Sequence, residues 1–383
     1  MTEAKTQEPS LFIQFAGQGV KYMDDLRRLY TTYPAVKPFI IDSIREIQKQ
    51  ADRYDDSSTI FFQQGLEIEQ WIEQPDKTPD LGYLLSSPLS HPLIYLSQIA
   101  NYISLIQDGV DQDLLIKHTH SATGFSTGII AAVLVSMNLP LDTLIKVAIK
   151  TQAMFFWQGI RTQQSMLNKN IQPKLDSKLF SQTEGSPSCM ASITNVMSSH
   201  LDKAIKSFTG TIYPSYELFP GRWIVAGSPE DLNAFKQFIK VEHPGSEWRY
   251  IPSTIAAHSP FLSYALEKSP IDAAELGLDF KATDLQIPVL SNDEGKDLRL
   301  SDNLIFDIMQ AYFVFPAVWR KQITPLLPPT NIKYVLDFGP GPGVASLTES
   351  HTSRSGIQVI RCTIPLGRKK LIEEIMPGLK SAS

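Results

Sequence analysis

Apolar residues recur along the chain in two patterns, as short continuous runs and at helical spacing. The short runs predict buried strands: Leu11–Phe15, Ile287–Leu290 and Tyr334–Phe338. The first run is followed by a glycine-rich segment, residues 16–19, which predicts a loop at the end of that strand. Helical spacing of apolar positions predicts helices over 21–56, about 61–74, 93–107 and 142–164, with a loop at 87–92.

The pattern changes in the middle of the chain. Residues 168–188 are polar and contain proline and serine, which predicts a connector. Shorter elements follow it, with strands predicted at 190–196, 223–227 and 249–252 and helices at 201–208 and 230–239. This β-α-β-α alternation over about 65 residues predicts a small α+β subdomain inserted into a larger one.

The pentapeptide Gly124-Phe125-Ser126-Thr127-Gly128 has the G-x-S-x-G spacing of a nucleophile elbow. Such an elbow places a serine on a tight strand-to-helix turn, beside the amides that begin the helix. A small-then-apolar run follows and predicts a buried helix. The alternative is an ordinary glycine-rich turn between core elements.

A serine nucleophile needs a base, and the chain has 7 histidines. His258 is the strongest candidate because it lies in a segment of small and apolar residues, IPSTIAAHSPFL. A buried structural histidine is the alternative. His118 and His120 lie just before the elbow, and we expect them to be structural or surface residues.

The segment from Tyr334 to Gly343, YVLDFGPGPG, has the strand, acidic residue and glycine spacing that begin a nucleotide- or S-adenosylmethionine-binding loop. A dinucleotide-binding domain needs several more βα units after that loop, and only about 40 residues follow here. A structural turn after a final sheet strand is therefore favoured.

The composition narrows the class of protein. The 383 residues are 43% hydrophobic and 20% charged, which is typical of a globular protein. The net charge of −5 argues against nucleic-acid binding. The two cysteines, Cys189 and Cys362, suit neither a disulfide framework nor a metal site. The sequence has no signal-peptide or transmembrane pattern, so we expect a cytoplasmic protein without a membrane partner.

Four segments occur in an order that resembles the acyl carrier protein transacylases: FAGQG, GFSTG, AAHSPFL and LDFGPG. The resemblance extends over about residues 11–366 and is greatest to the acetyltransferase domain in the β subunit of fungal-type fatty acid synthases. It implies an α/β fold, in which an α/β-hydrolase-like large subdomain (10–187 and 252–375) carries an inserted ferredoxin-like small subdomain (188–251).

The same resemblance implies roles for individual residues. Ser126 matches the acylated nucleophile, and His258 matches the general base. The backbone amides of Gln18 and Thr127 match the oxyanion-hole donors. A backbone carbonyl orients the histidine in this family, and we expect it in Ser291-Asn292. No metal or permanent cofactor is implied, since the substrates are coenzyme A or phosphopantetheine thioesters and the partner is an acyl carrier protein.

Two departures from the family pattern concern the acyl group. Phe125 stands where the family usually has histidine, and Gln158 stands where malonyl-selective members have arginine. A neutral amide cannot pair with a malonate carboxylate, so we expect a neutral acyl group. Arg161 lies about one turn further on and is expected to be structural or carrier-facing. The residues expected to bind the acyl group are Phe125, Gln158, Phe261, Met154 and Trp157.

The predicted reaction is ping-pong acyl transfer in fatty acid or polyketide biosynthesis, by what we expect to be a free-standing chain. Release of acyl groups by hydrolysis, malonyl transfer and a scaffold without activity remain alternatives. An acidic carrier protein needs a basic surface, for which Arg354 and Arg368-Lys369-Lys370 are the candidates, although a solvated charge run is the favoured explanation.

Overall fold

The computed structural model describes residues 10–54 and 58–382. Within these ranges the strands form two five-stranded sheets. The strands are β1 Leu11–Phe15, β2 Thr119–Gly124, β3 Met190–Thr194, β4 Ile212–Phe219, β5 Arg222–Gly227, β6 Glu247–Ile251, β7 Val289–Leu290, β8 Ala317–Val318, β9 Tyr334–Asp337 and β10 Gln358–Arg361.

Helices connect and cover the strands. The α-helices are α1 Met23–Thr32, α2 Lys37–Arg53, α3 Ser58–Phe61, α4 Ile68–Glu73, α5 Leu81–Leu84, α6 Ser87–Gln107, α7 Gln112–Lys117, α8 Gly128–Ser136, α9 Leu141–Leu167, α10 Ser198–Ser207, α11 Pro229–Glu242, α12 Ser263–Glu275, α13 Leu304–Phe313, α14 Trp319–Gln322, α15 Gly343–His351, α16 Pro365–Lys370 and α17 Met376–Ala382. A π-helical segment, Leu371–Ile375, joins the last two. Short 3₁₀ turns lie at Pro75–Lys77, Ser177–Leu179, Pro260–Leu262, Ala282–Asp284, Leu298–Leu300 and Thr324–Leu326.

The first sheet is parallel, with the order β10-β9-β1-β2-β7. Its central strand β1 is buried along its whole length, which explains its uninterrupted apolar run. Strands β1 and β2 are neighbours, so the loops that follow them meet at the carboxyl edge of the sheet. Parallel α/β sheets bind their ligands at this edge.

The second sheet has the order β6-β3-β5-β4-β8. Strands β3 to β6 alternate with α10 and α11 as βαββαβ, the ferredoxin-like arrangement that was expected. One face of this sheet packs on those two helices through Leu201, Leu232 and Phe235. Tyr216 and Ile224 belong instead to the large core cluster. The small sheet therefore lies between its own helices and the rest of the molecule.

The two sheets agree with the α/β architecture that the sequence predicted, but several local predictions were wrong. The predicted helix 21–56 is two helices that are interrupted near Pro34, and its last two residues lie outside the described residues. The segment 62–67 is not helical, and strand β4 was not predicted. The predicted loop 87–92 is the buried start of α6, where Pro88 occupies the first turn.

The predicted boundaries between the subdomains stay a prediction. The four strands of the ferredoxin-like unit fall within 188–251, while β8 joins their sheet from outside that range, and α17 extends beyond residue 375. Of the described helices, none is at once long and apolar enough to cross a membrane.

Candidate active site

Ser126 lies on a tight turn between β2 and α8, as the G-x-S-x-G spacing predicted. Its φ is 54°, in the left-handed region that a non-glycine residue rarely adopts. The turn requires glycine on both sides. A Cβ on Gly124 would lie 1.9 Å from the carbonyl carbon of Gly128, and a Cβ on Gly128 would lie 2.4 Å from the Ala16 carbonyl oxygen. Only glycine at both positions leaves room for the backbone to pack this closely, which permits the strained conformation of Ser126 in a nucleophile elbow.

Asn292 holds the backbone of this elbow. The Ser126 amide donates to Asn292 Oδ1 at 3.1 Å, and Asn292 Nδ2 donates to the Ser126 carbonyl oxygen at 3.1 Å. The Asn292 carbonyl oxygen in turn accepts from Gln322 Nε2 at 2.9 Å and from the Val318 amide at 2.9 Å. A buried side chain after β7 thus fixes the strained turn with two reciprocal hydrogen bonds.

His258 is completely buried and lies beside Ser126. Its Nε2 is 2.9 Å from Ser126 Oγ, and its Nδ1 is 2.8 Å from the Phe315 carbonyl oxygen. Because a carbonyl can only accept, Nδ1 carries the proton and Nε2 accepts from the serine hydroxyl. Burial lowers the pKa of His258 to about 4, which keeps the imidazole neutral.

The carbonyl that orients His258 was predicted in Ser291-Asn292, and that prediction is wrong. The carbonyl belongs to Phe315, which follows the carboxyl end of α13. The oxygen of this carbonyl accepts the Nδ1 proton and carries a partial negative charge. A backbone carbonyl just beyond a helix therefore meets the histidine where a triad has a carboxylate, and Asn292 holds the nucleophile's backbone instead.

Tyr216 also contacts the nucleophile, although no sequence pattern pointed to it. Its hydroxyl lies 3.1 Å from Ser126 Oγ. Its ring stacks on Phe125 with centroids 5.0 Å apart and planes 8° apart, and it meets the His258 ring edge-on at 4.6 Å. The small sheet thus supplies a side chain to a site otherwise built by the rest of the molecule.

The two residues predicted to form the oxyanion hole lie in the loops that follow the neighbouring strands β1 and β2. Thr127 directly follows Ser126 at the start of α8, and Gln18 follows β1. The Gln18 segment packs closely on the elbow, since a Cβ on Gly17 would lie 2.4 Å from the Phe125 carbonyl oxygen. Among the described residues, no acceptor receives a hydrogen bond from either backbone amide. Their assignment as oxyanion donors stays a prediction.

A buried network holds the side chain of Gln18. Gln18 Nε2 donates to Ser90 Oγ at 2.9 Å and to Ser87 Oγ at 3.2 Å, and Gln18 Oε1 lies 3.3 Å from His91 Nε2. The Tyr312 hydroxyl reaches the other ring nitrogen of His91 at 3.0 Å. Burial lowers the pKa of His91 to about 3, so the ring is a neutral part of this network.

The YVLDFGPGPG segment supports the same loop. The Gly339 carbonyl oxygen accepts from the Ala16 amide at 2.9 Å, and Gln14 Nε2 donates to Asp337 Oδ1 at 3.2 Å. Burial raises the pKa of Asp337 to about 7. This glycine loop is therefore part of the scaffold of the Gln18 segment, as the structural alternative predicted.

The residues predicted to bind the acyl group do not all face the site. Phe125 stacks on Tyr216, and Gln158 is buried with its Nε2 3.2 Å from Met309 Sδ. Trp157 faces α2, where its indole donates to Gln50 Oε1 at 3.1 Å, and its role in acyl binding stays a prediction. Adjacent residues of a helix point about 100° apart, which separates Trp157 from its neighbour.

Two further predicted acyl-binding residues stay predictions. Met154 is buried on α9, one turn before Gln158. Phe261 packs edge-on against Tyr213 with ring centroids 5.7 Å apart. Arg161 is structural, because its guanidinium pairs with both carboxylate oxygens of Asp272 at 2.8 and 2.9 Å.

The prediction of a basic, carrier-facing surface is also wrong in part. Arg368 is buried, donates to Ser104 Oγ at 3.0 Å, forms an ion pair with Asp108 and stacks over Tyr33. Lys369 and Lys370 are neighbours of a buried structural residue. Arg354 is exposed after α15.

An open groove leads to the elbow, and we call it the entrance groove. Its volume is about 340 Å³, and it lies between the Gln18 loop, the β4–β5 hairpin and α15. Phe125, Leu218, Arg222 and Val344 line it together with Gln18. Among the described residues, no group of three or more His, Cys, Asp or Glu side chains is arranged to hold a metal.

Comparisons with known proteins identify the family to which this α/β fold with its Ser-His pair belongs. Residues 13–258 match the family model described as "SAT: Starter unit:ACP transacylase in aflatoxin biosynthesis". The matched range includes both Ser126 and His258 and covers more than half of the chain. The chain belongs to this family.

Curated relatives are β subunits of fatty acid synthases. The chain is 29% identical over 377 residues to fatty acid synthase subunit beta of Saccharomyces cerevisiae, covering 90% of this chain and 18% of that protein. It is 27% identical over 411 residues to fatty acid synthase beta subunit aflB of Emericella nidulans, covering 100% of this chain and 19% of that protein. The chain thus spans about a fifth of the length of these relatives.

Solved structures of malonyl transacylases share the fold. A type II polyketide synthase malonyl-transacylase, solved in complex with its acyl-carrier protein, superposes with a TM-score of 0.68 at 16% identity, over 95% of this chain and 99% of that chain. The malonyl CoA-acyl carrier protein transacylase of Clostridium perfringens gives 0.67 at 17% identity, over 97% and 99%. These similarities confirm the predicted fold.

Proposed function

We propose that this protein transfers a neutral acyl group, acetyl or longer, from coenzyme A or a carrier protein to the phosphopantetheine thiol of an acyl carrier protein. The observation that carries the proposal is the hydrogen-bonded line from Ser126 Oγ through His258 to the Phe315 carbonyl oxygen. A serine hydroxyl on a neutral, oriented imidazole is the arrangement of an activated nucleophile.

The first half-reaction forms an acyl-serine. His258 Nε2 takes the proton of the Ser126 hydroxyl as Oγ attacks the thioester carbon. The amides of Gln18 and Thr127 hold the negative oxygen of the tetrahedral intermediate. The carbon–sulfur bond then breaks, and His258 returns its proton to the departing thiol.

The second half-reaction repeats these steps with an incoming thiol. His258 removes the proton of the phosphopantetheine thiol, whose sulfur attacks the ester carbon. Ser126 Oγ leaves and recovers the proton from His258. The base is neutral at the start of each half-reaction because burial disfavours its charged form. The partial negative charge of the Phe315 carbonyl oxygen stabilises the imidazolium that forms during each step.

A neutral acyl group is favoured by the residues at the expected carboxylate position. Gln158 carries no charge, and the guanidinium of Arg161 is already paired with Asp272. A malonyl carboxylate buried without a cation would be costly. The solved neighbours are malonyl transacylases, but their similarity concerns the fold, so malonyl transfer is the competing substrate class.

Acyl donors can be compared directly by intact-protein mass spectrometry. We expect acetyl- and medium-chain acyl-coenzyme A to add one acyl mass to the protein, and malonyl-coenzyme A to add little. Ser126→Ala should abolish the addition, while Ser353→Ala, at an exposed serine, should retain it. Preferred acylation by malonyl would contradict the substrate class, and acylation of Ser126→Ala would contradict the nucleophile.

The partner is inferred from the entrance groove. Arg222 is exposed and lines the groove, while exposed Arg320 and Lys321 line an adjacent depression that shares Leu218 and Phe219 with it. These cations suit an acidic carrier protein whose phosphopantetheine arm enters the groove. They replace the Arg368 cluster as the proposed carrier-facing surface.

Hydrolysis is the alternative outcome of the same acyl-serine, with water in place of the thiol. Ser126 is only 2% exposed and is covered by Tyr216, which favours transfer over hydrolysis. Measuring free acid and acylated carrier protein from one acyl-enzyme pool separates the two. A pool that yields mainly free acid in the presence of carrier protein would establish the hydrolase.

A further inference from the structure

Tyr216 extends from the small sheet to the reacting oxygen of the proposed nucleophile. Its hydroxyl lies 3.1 Å from Ser126 Oγ, and the side chain is buried. The acyl-transfer steps given above do not use this hydroxyl. Its position on a strand 90 residues away from the serine explains why the elbow pattern alone does not reveal it.

The direction of the hydrogen bonds at Ser126 follows from counting protons. His258 donates its Nδ1 proton to the Phe315 carbonyl oxygen, so its Nε2 has only a lone pair and must accept the proton of the serine. The serine oxygen has no second proton. The Tyr216 hydroxyl therefore donates to Ser126 Oγ, which stands between one donor and one acceptor.

The backbone around Tyr216 is fixed from several sides. Tyr216 pairs with Ile224 on β5 and with Ala317 on β8. The preceding residue, Ser215, donates from its hydroxyl to the Ala257 carbonyl oxygen at 2.7 Å, immediately before His258. The ring is held between Phe125 and the His258 imidazole. The hydroxyl is thus preorganised against the serine oxygen rather than placed there by a mobile side chain.

We propose that Tyr216 is a catalytic residue of acyl transfer, whose hydroxyl donates to Ser126 Oγ as this oxygen enters and leaves the acyl ester. The proposal rests on the proposed function. The tyrosine keeps its proton throughout, because His258 alone carries the transferred proton. Burial raises the pKa of Tyr216, so its hydroxyl stays protonated.

The two half-reactions should respond differently to the loss of this donor. A hydroxyl or alkoxide oxygen accepts a hydrogen bond well, whereas the single-bonded oxygen of an ester accepts poorly. Tyr216 therefore stabilises the free serine and the transition state more than the acyl-serine. Removing the hydroxyl should slow the departure of Oγ more than its attack and shift the balance toward the acyl-enzyme.

The test uses Tyr216→Phe, which keeps the ring and removes the hydroxyl, with Tyr213→Phe on the same strand as the matched control. Single-turnover rates are measured by mass spectrometry for acylation by acetyl-coenzyme A and for transfer from the acyl-enzyme to free pantetheine. We expect transfer to slow about 10-fold, acylation to slow less, and acyl-enzyme to accumulate at steady state. Thermal unfolding checks that both variants are folded.

The outcomes separate this proposal from the proposed function. If wild type forms an acyl-serine and Tyr216→Phe transfers it at the wild-type rate, Tyr216 has no catalytic role and the proposed function is unaffected. If both half-reactions slow by the same factor, the hydroxyl does not discriminate serine from ester, and the proposal is wrong. If wild type forms no acyl-serine, the proposed function fails together with the role of Tyr216.

Discussion

His258 Nδ1 lies 2.8 Å from the carbonyl oxygen of Phe315, just beyond the carboxyl end of α13. The base of this site is therefore oriented by a backbone carbonyl and not by a carboxylate. The geometry fixes the same tautomer that an aspartate fixes in a Ser-His-Asp triad, and it places partial negative charge beside the imidazole.

This relationship predicts that no acidic side chain is needed for catalysis. The negative charge of Asp293 raises the pKa of His258, but by less than the hydrogen bond to the Phe315 carbonyl does. We expect Asp293→Asn to keep the acylation rate within about 3-fold, whereas the corresponding change in a triad costs about 10⁴-fold. Rapid-quench acylation measures this rate. A loss beyond about 100-fold would make Asp293 a third member of the catalytic group.

Two buried histidines that are neutral in the folded state contribute to the pH dependence of stability. The pKa of His258 is lowered to about 4 and that of His91 to about 3, while both titrate near 6.5 when exposed. Because their folded pKa values are depressed, their contribution to stability is present above pH 6.5 and is lost as the pH falls toward these lower values. We expect these two histidines to lower the free energy of unfolding over this range, whereas Asp337, whose pKa burial raises to about 7, contributes in the opposite direction.

Replacing one of the two histidines checks this assignment. His91→Gln should make the decrease in unfolding free energy below pH 6.5 shallower, by about 1.4 kcal/mol per pH unit at most. Gln182→Ala, at an exposed residue that does not titrate, should leave the slope unchanged. Denaturant titrations at several pH values give the slopes. An identical slope for His91→Gln and wild type would show that His91 does not fold in its neutral form.

Asn292 should matter for both stability and rate. Asn292→Ala removes two hydrogen bonds to the Ser126 backbone and leaves buried groups unpaired, which should lower the unfolding free energy by about 1–3 kcal/mol. The acylation rate should fall at least about 10-fold, because the strained elbow loses its support. Ser228→Ala removes the cap of α11, where Ser228 accepts from the Asp231 amide, and should destabilise the fold without slowing acylation. Equal rates in the two variants would refute the supporting role.

Gln158 should control selectivity for the acyl group. Gln158→Arg introduces a cation at the position where the family resemblance places the arginine of malonyl-selective members, so acylation by malonyl-coenzyme A should increase relative to acetyl-coenzyme A. A buried unpaired guanidinium should also lower the melting temperature until a malonyl group is bound. Arg161→Gln should lower stability through the lost ion pair with Asp272 and leave the donor ratio unchanged. A donor ratio that changes only in Arg161→Gln would reverse these roles.

The entrance groove makes a prediction about the carrier protein. Arg222→Glu should raise KM for an acidic carrier protein by about 10-fold and leave the reaction with free pantetheine unchanged, because pantetheine carries no acidic surface. Lys203→Glu, on the helix-covered side of the small sheet, serves as the charge-matched control. An unchanged KM for the carrier protein would reject this docking surface.

The sequence predicted those features that depend on local pattern. The run Leu11–Phe15 matches β1 because a strand buried on both faces is apolar throughout. Strand β4 was not predicted because it contains Pro214 and alternates irregularly with polar residues. The start of α6 was missed because Pro88 and Pro92 predict a loop, whereas packing of the whole helix in the core overrides that preference.

The site was predictable only as far as motifs extend. The elbow and the resemblance of AAHSPFL pointed to Ser126 and His258, which the fold places within 2.9 Å of each other. Motifs could not identify the carbonyl that orients His258, because every residue has a backbone carbonyl. Which carbonyl contacts the histidine depends on where α13 ends and how the chain continues after it. Tyr216 could not be predicted for a similar reason, since its contact with Ser126 depends on how the small sheet packs against the rest of the molecule.

The most direct test of the central claim is a pulse–chase experiment on the intact chain. The protein is acylated with isotope-labelled acetyl-coenzyme A, freed from excess donor and mixed with a carrier protein bearing phosphopantetheine, while both masses are followed. The account predicts that the label resides on the peptide containing Ser126 and then appears on the carrier thiol, and that His258→Ala prevents both steps. Label that reaches the carrier without passing through Ser126, or that appears only as free acetate, would contradict it.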